Sequence, residues 1–220
     1  MVTVLYFWIL PTKSLPFALI RMALDRGALR KTDGVEFGKL LGCGKGETFL
    51  PSDVDINRWG LLATIEENQL SFLDSSQLVQ RWRNHSTKEF RIVLDPISSH
   101  GKWSKREPFV PNVPANFDGQ IAAVTRARIA WRQNLKFWKA VPPVSKSLHS
   151  AEGLIAAFGI GEAPIGLQGT FSLWQSSAAL RNFAYKSQAH KDVIEATERN
   201  KWFPEELFAR FAVRDVRGSL

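Results

Sequence analysis

The chain has 220 residues, of which 45% are hydrophobic and 23% charged, proportions typical of a globular protein and unlike a disordered or fibrous one. Lys and Arg number 29 against 21 Asp and Glu, and the resulting net charge of +8 favours contact with an anionic surface, either nucleic acid or lipid head groups. The single cysteine, Cys43, excludes an internal disulfide and is typical of a reducing cytoplasm.

The chain begins with the apolar run MVTVLYFWIL, which ends at Pro11 and has no basic residue in front of it. This run is too short to span a bilayer, and it lacks the basic lead of a signal peptide. We therefore interpret it as a buried strand and expect a cytoplasmic protein.

Hydrophobic periodicity predicts two successive runs of elements, each in the order strand, helix, strand, strand, helix, strand. The first run consists of a strand at 2–10, a helix from Pro16 to about Gly27, strands at 35–49 and 59–65, a helix at 71–85 and a strand at 89–97. A connector rich in proline follows at 98–118. The second run consists of a strand at 121–129, a helical stretch at 133–148, strands at 153–162 and 168–174, a helical region that opens at Ser176 and Ser177, and a strand at 206–213.

The two runs also share a glycine string. GCGKGE at 42–47 is similar to GIGE at 159–162, an offset of roughly 115 to 120 residues that is typical of a duplicated domain. We therefore predict an α+β fold of duplicated ferredoxin-like (β-α-β-β-α-β) halves, with residues 1–97 as the first half, 98–118 as a linker and 119–220 as the second half. Two such sheets facing each other would bury both apolar faces and could enclose a cavity between sheet and helices.

The glycine string at 42–47 does not match a phosphate-binding loop. No Lys-Ser or Lys-Thr closes a GxxxxG spacing there, and a strand-like segment follows instead of a helix. We expect these glycines to permit a β-bulge, or the close approach of a neighbouring backbone or of a flat ligand.

The histidines show no spacing typical of a zinc site, since neither HxxxH nor CxxC occurs. They are His85, His100, His149 and His190. His190 lies on the apolar stripe of the last helical region, seven residues after Phe183 and four before Ile194. Such an imidazole needs either a hydrogen-bond partner in the core or a metal, and one His suffices to hold a haem iron from one side. Both interpretations stay open at this point.

Further strings lie in order along nearly the whole chain. They are FGKLLGCGKGE at 37–47, GKW at 101–103, EPF at 107–109, TRA at 125–127, FW at 137–138, GIGEAP at 159–164, TFSLW at 170–174 and WFPEELFARF at 202–211. Together they resemble the spheroidene monooxygenase family of carotenoid biosynthesis.

The resemblance implies a haem-containing enzyme that uses O₂ to place a keto group on an acyclic carotenoid. It also implies a fold similar to the dimeric α/β-barrel superfamily, built from duplicated ferredoxin-like halves. The family's histidine falls on His190, which is therefore the expected axial ligand of the haem iron. An external electron donor is expected as well, because no flavin or nicotinamide site is visible in the sequence.

Within this hypothesis the haem occupies an apolar pocket of the second half. Phe158, Phe171 and Trp174 are expected on its walls, and plain sheet packing is the alternative for each. Arg126 is expected either to pair with a haem propionate or to be a surface arginine on a barrel strand. The other three histidines are expected at the surface.

Two other classes of function stay open on the sequence alone. One is a cofactor-free monooxygenase, or a binding protein for a small apolar ligand, on the same barrel fold. The other is a basic nucleic-acid-binding module, but the chain has no RNA-recognition motif and no zinc-finger spacing, so we expect no nucleic-acid partner. A carotenoid dissolves in the bilayer, and the mixed basic and aromatic strings at 102–106 and 128–139 predict peripheral contact with anionic lipid. The sequence leaves open the carbon that is oxidised and whether the chain forms a homo-oligomer.

Overall fold

The computed structural model describes residues 1–47, 51–128, 147–162, 169–186 and 205–219. The strands in these ranges are β1 (Val2–Ile9), β2 (Val35–Gly44), β3 (Val54–Ile65), β4 (Lys88–Gly101), β5 (Ile121–Arg128), β6 (Leu154–Gly161), β7 (Gly169–Trp174) and β8 (Glu205–Gly218). The helices in the same ranges are α1 (Leu15–Arg30), α2 (Leu70–Ser75), α3 (Gln77–His85) and α4 (Ser177–Lys186).

The eight strands form one closed barrel in the order β1-β3-β2-β6-β7-β5-β8-β4. Every pair of neighbours is antiparallel. β1 is flanked by β3 and β4, and β5 is flanked in the same way by β7 and β8, while the pairs β2–β6 and β4–β8 join the two runs. The α+β class is confirmed, and the derivation of the barrel from two duplicated halves stays a prediction.

Several predicted boundaries are wrong in detail. The helix expected over 71–85 is two helices, because Ser76 is extended (φ −62°, ψ 149°) and its Oγ caps α3 by accepting from the Val79 backbone N–H at 3.3 Å. β4 continues to Gly101, four residues into the predicted connector, since it pairs with β8 as far as Leu207. The helical stretch predicted at 133–148 lies almost entirely outside the described residues.

The apolar character of β1 follows from burial on both of its faces. Leu5 and Phe7 point into the barrel, whereas Tyr6 and Trp8 pack outside it, under the helices of the first run. Trp8 stacks on Trp82 of α3 with ring centroids 5.4 Å apart. A strand covered on both faces has no polar side, which is why MVTVLYFWIL shows no alternation.

The two glycine strings lie side by side where β2 pairs with β6. Gly42 pairs with Gly161 and Gly44 with Gly159. The register of β2 against β3 shifts just after Gly42, as a β-bulge requires. Gly46 has φ +77°, and a Cβ on it would lie 2.8 Å from the Gly159 backbone nitrogen. The predicted bulge and close backbone approach are therefore confirmed, and we call this pairing of 42–46 with 158–161 the glycine seam.

Candidate functional site

An open cavity of about 470 Å³ lies beside the first turns of α4. This volume is within the range of about 300–1,000 Å³ that is usual for ligand sites. The lining residues in the described part of the chain are mostly small or polar, and they are Ser147, Ser150, Ala151, Glu152, Gly153, Gln175, Ser176, Ala178, Ala179, Asn182 and Phe183. They belong to the turn before β6, the turn after β7 and one face of α4.

The cavity lies where β7 ends and α4 begins. Ser176 caps the helix, its Oγ accepting from the Ala179 backbone N–H at 3.1 Å, as the Ser176-Ser177 pair predicts. Gly153 adopts φ +78°, and a Cβ on it would stand 2.6 Å from the Cβ of Ala179. Glycine at this position therefore lets the turn before β6 approach the helix closely.

Among the described lining residues, one is aromatic. Phe183 lines the cavity, and behind Phe183 lies the buried ring of Trp174, with centroids 5.4 Å apart. The Trp174 indole N–H donates to Ser172 Oγ at 2.9 Å, so the polar group of this ring is satisfied within the core.

Phe158 and Phe171 lie elsewhere, inside the barrel. Their rings are 5.3 Å apart, and both contact Phe7. Residues three apart on a strand point to opposite faces, so Phe171 cannot share a wall with Trp174. Phe158 and Phe171 therefore pack inside the sheet and do not line this cavity.

A second cluster, the barrel-end cluster, consists of Lys39, Trp103, Arg126, Glu162 and Glu205. The Glu162 carboxylate accepts from Lys39 Nζ and from the Trp103 indole N–H, each at 2.6 Å, and lies 3.3 Å from Arg126 Nη2. Burial alone would raise the pKa of Glu162, but the hydrogen bonds from Lys39 and Trp103, with the charges of Lys39 and Arg126, lower it below its usual range.

Glu205 connects Arg126 to a strained turn. Arg126 Nη1 forms an ion pair with Glu205 Oε1, and the same carboxylate accepts from the backbone N–H groups of Ser104 and Lys105 at 3.1 and 2.7 Å. Ser104 and Lys105 have φ of 54° and 63°, which is unfavourable for residues with a side chain. Burial opposes ionisation of Glu205, but these backbone donors and Arg126 outweigh it and lower its pKa.

The barrel-end cluster corrects two expectations. Arg126 is 8% exposed and paired with two carboxylates, so it is not a surface arginine. Trp103 is buried, so the string at 102–106 presents no aromatic ring to a membrane. Sequence reasoning missed Glu162 and Glu205 as partners of Arg126, although both lie in strings that carry the family resemblance.

The histidines divide into two groups. His85, His100 and His149 are exposed, as predicted, and His85 stacks on Phe17 with ring centroids 3.7 Å apart. His190 lies outside the described residues. Within the described ranges, no group of three or more His, Cys, Asp or Glu side chains is arranged to hold a metal ion, and no helix is both long and apolar enough to cross a bilayer.

Solved structures with this fold include two of aldoxime dehydratase. One has 11% identity and a TM-score of 0.58, and covers 97% of this chain and 79% of that chain. The other has 10% identity and a TM-score of 0.57, and covers 97% and 81%. At this level of identity the likeness concerns the fold alone.

Sequence comparison gives the class of protein. No family model matches the chain. The spheroidene monooxygenase of Rhodobacter capsulatus is 34% identical over 212 residues, covering 94% of this chain and 88% of the relative. That of Rubrivivax gelatinosus is 35% identical over 189 residues, covering 84% and 71%. That of Cereibacter sphaeroides is 31% identical over 205 residues, covering 92% and 63%. The protein is thus an oxidoreductase of the monooxygenase class. More particularly, it belongs to the spheroidene monooxygenase family, as the strings predict.

Proposed function

We propose that the protein introduces a keto group into an acyclic carotenoid, using O₂ and electrons from an external donor. The observation that carries this proposal is the 34% identity to a spheroidene monooxygenase over 88% of that relative's length. In each hydroxylation, one oxygen atom of O₂ enters a C–H bond and the other leaves as water, with two electrons and two protons supplied by the donor. A second hydroxylation at the same carbon gives a geminal diol, which loses water to form the ketone.

We propose that a haem cofactor would bind at the cavity beside α4, with His190 holding its iron. Two features of the described residues support this location. The cavity has the volume of a ligand site, and Phe183 forms its wall. The sequence predicts that His190 shares a helical face with Phe183, since seven residues are about two helical turns. Bound there, haem would supply the activation of O₂, which no side chain can perform alone.

The residues around the cavity have distinct roles in this proposal. The small side chains of Ala151, Ala178 and Ala179 line the cavity and would leave its volume to a flat ring. Phe183 and Trp174 supply an apolar face that excludes water from one side. The predicted pairing of Arg126 with a propionate does not fit a haem at this cavity, because Arg126 pairs with Gly169 at the opposite end of β7 and is held by the carboxylates of Glu162 and Glu205.

The fold carries two further parts of the proposal. Residues 1–97 and 119–220 would be duplicated ferredoxin-like halves joined by the linker 98–118, and the matching neighbours of β1 and β5 in the barrel support this division. The protein would act as a peripheral protein at the membrane, because its substrate is dissolved there and its net charge of +8 attracts anionic head groups.

Expression in cells that accumulate an acyclic carotenoid tests the reaction. We expect a new pigment whose mass differs by the replacement of CH₂ with C=O. Unchanged pigment in cells with confirmed expression and an adequate electron supply would contradict the proposal.

The visible spectrum of the purified protein tests the cofactor. We expect a Soret band that is lost in His190→Ala and retained in His149→Ala, since His149 is exposed. Carotenoid oxidation by a protein without a Soret band would instead identify the cofactor-free monooxygenase. Pigment binding without oxidation would identify a binding protein.

A further inference from the structure

Helix α1 is apolar on both of its faces. Its inner face buries Ala18, Met22 and Leu29 against the barrel. Its outer face consists of Pro16, Leu19, Ile20, Ala23, Leu24, Gly27 and Ala28, all exposed and spaced by three or four residues. The large members, Leu19, Ile20 and Leu24, are 45%, 56% and 60% exposed. A helix packed on a protein core normally presents polar residues to solvent, so this exposed apolar face indicates an interaction surface.

The orientation of α1 is fixed, and the outer face cannot turn inward. Asp25 on the inner face is 1% exposed and accepts from the Trp82 indole N–H at 3.0 Å and from Arg81 Nη2 at 3.1 Å. Leu29 packs so closely over Gly38 of β2 that a Cβ there would lie 2.6 Å from the leucine. A rotation of α1 about its axis that buried the outer face would break the hydrogen bonds of the Asp25 carboxylate.

The exposed charges along α1 are all positive. They are Lys13, just before the helix, Arg26 and Arg30 within it, and Lys31, just after it. Arg26 is directed toward the barrel, since its Nη2 donates to the Glu162 backbone carbonyl. The helix has one acidic residue, the buried Asp25. The next acid along the chain is Asp33, beyond Lys31. An apolar stripe edged by cations is the pattern of a helix that lies in the head-group region of an anionic bilayer.

We propose that the outer face of α1 docks the protein on anionic lipid bilayers, with Leu19, Ile20 and Leu24 inserted between head groups. Lys13, Arg30 and Lys31 would then lie against lipid phosphates. The choice of a bilayer rests in part on the proposed function, because a carotenoid substrate is dissolved in lipid. A second copy of the chain is the less favourable occupant. A two-fold contact between these faces would bring the cations of both copies together.

Vesicle flotation of the full chain tests the proposal, using phosphatidylcholine vesicles with and without phosphatidylglycerol. We expect binding to the vesicles that contain phosphatidylglycerol, weakened by salt. The outer-face variant, Leu19→Gln with Ile20→Gln and Leu24→Gln, should bind roughly 100-fold more weakly, because three inserted apolar side chains are lost.

A matched control replaces three other exposed apolar side chains, as Ile56→Gln with Phe72→Gln and Val110→Gln, which are 46%, 67% and 69% exposed in the wild type. The control variant should bind vesicles as the wild type does. All the replaced side chains are exposed, so both variants should keep the wild-type thermal unfolding, and circular dichroism checks this.

Three outcomes would overturn the docking proposal. They are a wild type that does not bind phosphatidylglycerol vesicles, an outer-face variant that binds as well as the wild type, and a control variant that loses as much binding. A wild-type dimer that the outer-face substitutions convert to a monomer, with no vesicle binding by the wild type, would assign the face to a second copy instead.

Oxidation of a detergent-solubilised carotenoid separates this proposal from the proposed function. If the docking surface and the proposed reaction are both correct, the outer-face variant oxidises the solubilised carotenoid as the wild type does and fails only with carotenoid in vesicles. Failure of every form of the protein to oxidise carotenoid, with selective loss of vesicle binding in the outer-face variant, would leave the docking surface in place and reject the proposed function.

Discussion

Replacing glycine by alanine should have opposite effects on stability at Gly46 of the glycine seam and at Gly27 of α1. Gly46→Ala places a Cβ at φ +77°, which costs about 1–2 kcal/mol for a residue with a side chain. The same Cβ would lie 2.8 Å from the Gly159 nitrogen and 3.1 Å from the Phe158 carbonyl carbon, so backbone must move rather than a flexible side chain. Displacing packed backbone costs about a further 1–2 kcal/mol. We expect Gly46→Ala to lower the free energy of unfolding by about 2–4 kcal/mol in total.

Gly27→Ala is the matched control, because it makes the same substitution in the exposed interior of α1, where an added Cβ meets no atom within 4 Å. It should raise the free energy of unfolding by about 0.5–1 kcal/mol, since glycine is a poor helix former. Urea unfolding monitored by tryptophan fluorescence measures both variants. A Gly46→Ala protein as stable as the wild type would refute the tight backbone contact at the glycine seam.

Three further predictions concern the barrel-end cluster and the cavity. Arg126→Met should destabilise the fold by about 2–4 kcal/mol in thermal or urea unfolding, because it leaves Glu205 without its cation and Glu162 with Lys39 alone. Adding Glu205→Gln should recover part of the loss, and simple additivity of the two substitutions would contradict this coupling. The pKa of Glu162 is lower in the folded state than in the unfolded state, so the folded protein binds fewer protons and this group stabilises it above about pH 4.3. That contribution is lost as the pH falls through the folded pKa. Glu162→Gln should therefore show a flatter dependence of Tm on pH below about pH 5. The same dependence of Tm on pH as in the wild type would contradict the stabilising role of the Glu162 carboxylate. Asn182→Trp should fill the cavity and reduce both Soret absorbance and keto product by about tenfold or more without lowering Tm, whereas Arg181→Trp, outside the lining, should leave both unchanged.

The fold was largely predictable because its strands carry strong local signals. The apolar run at the N-terminus and the repeated glycine strings led to a strand and to a close backbone approach, and both occur as β1 and the glycine seam. Boundaries were less predictable. Serine is compatible with a helix surface, and only the packing of α2 and α3 shows that Ser76 is a break and a cap.

The candidate site was less predictable, since its geometry depends on contacts between distant residues. Glu162 and Glu205 are 36 and 79 positions from Arg126, and no local pattern pairs them. Aromatic content indicates a pocket wall but not which face of the sheet each ring occupies, and Phe158 and Phe171 lie on the opposite face from Trp174. The sequence does not distinguish the outer face of α1 from its buried face, because a helix with two apolar faces has no clear polar side.

Product analysis with isotopically labelled O₂ tests the proposed reaction most directly. The purified protein, supplied with an electron donor and an acyclic carotenoid, should form a ketone whose oxygen carries the label when the product is quenched before exchange with water. A ketone that carries only solvent oxygen under the same rapid quench, or no ketone from a correctly folded protein, would contradict the account.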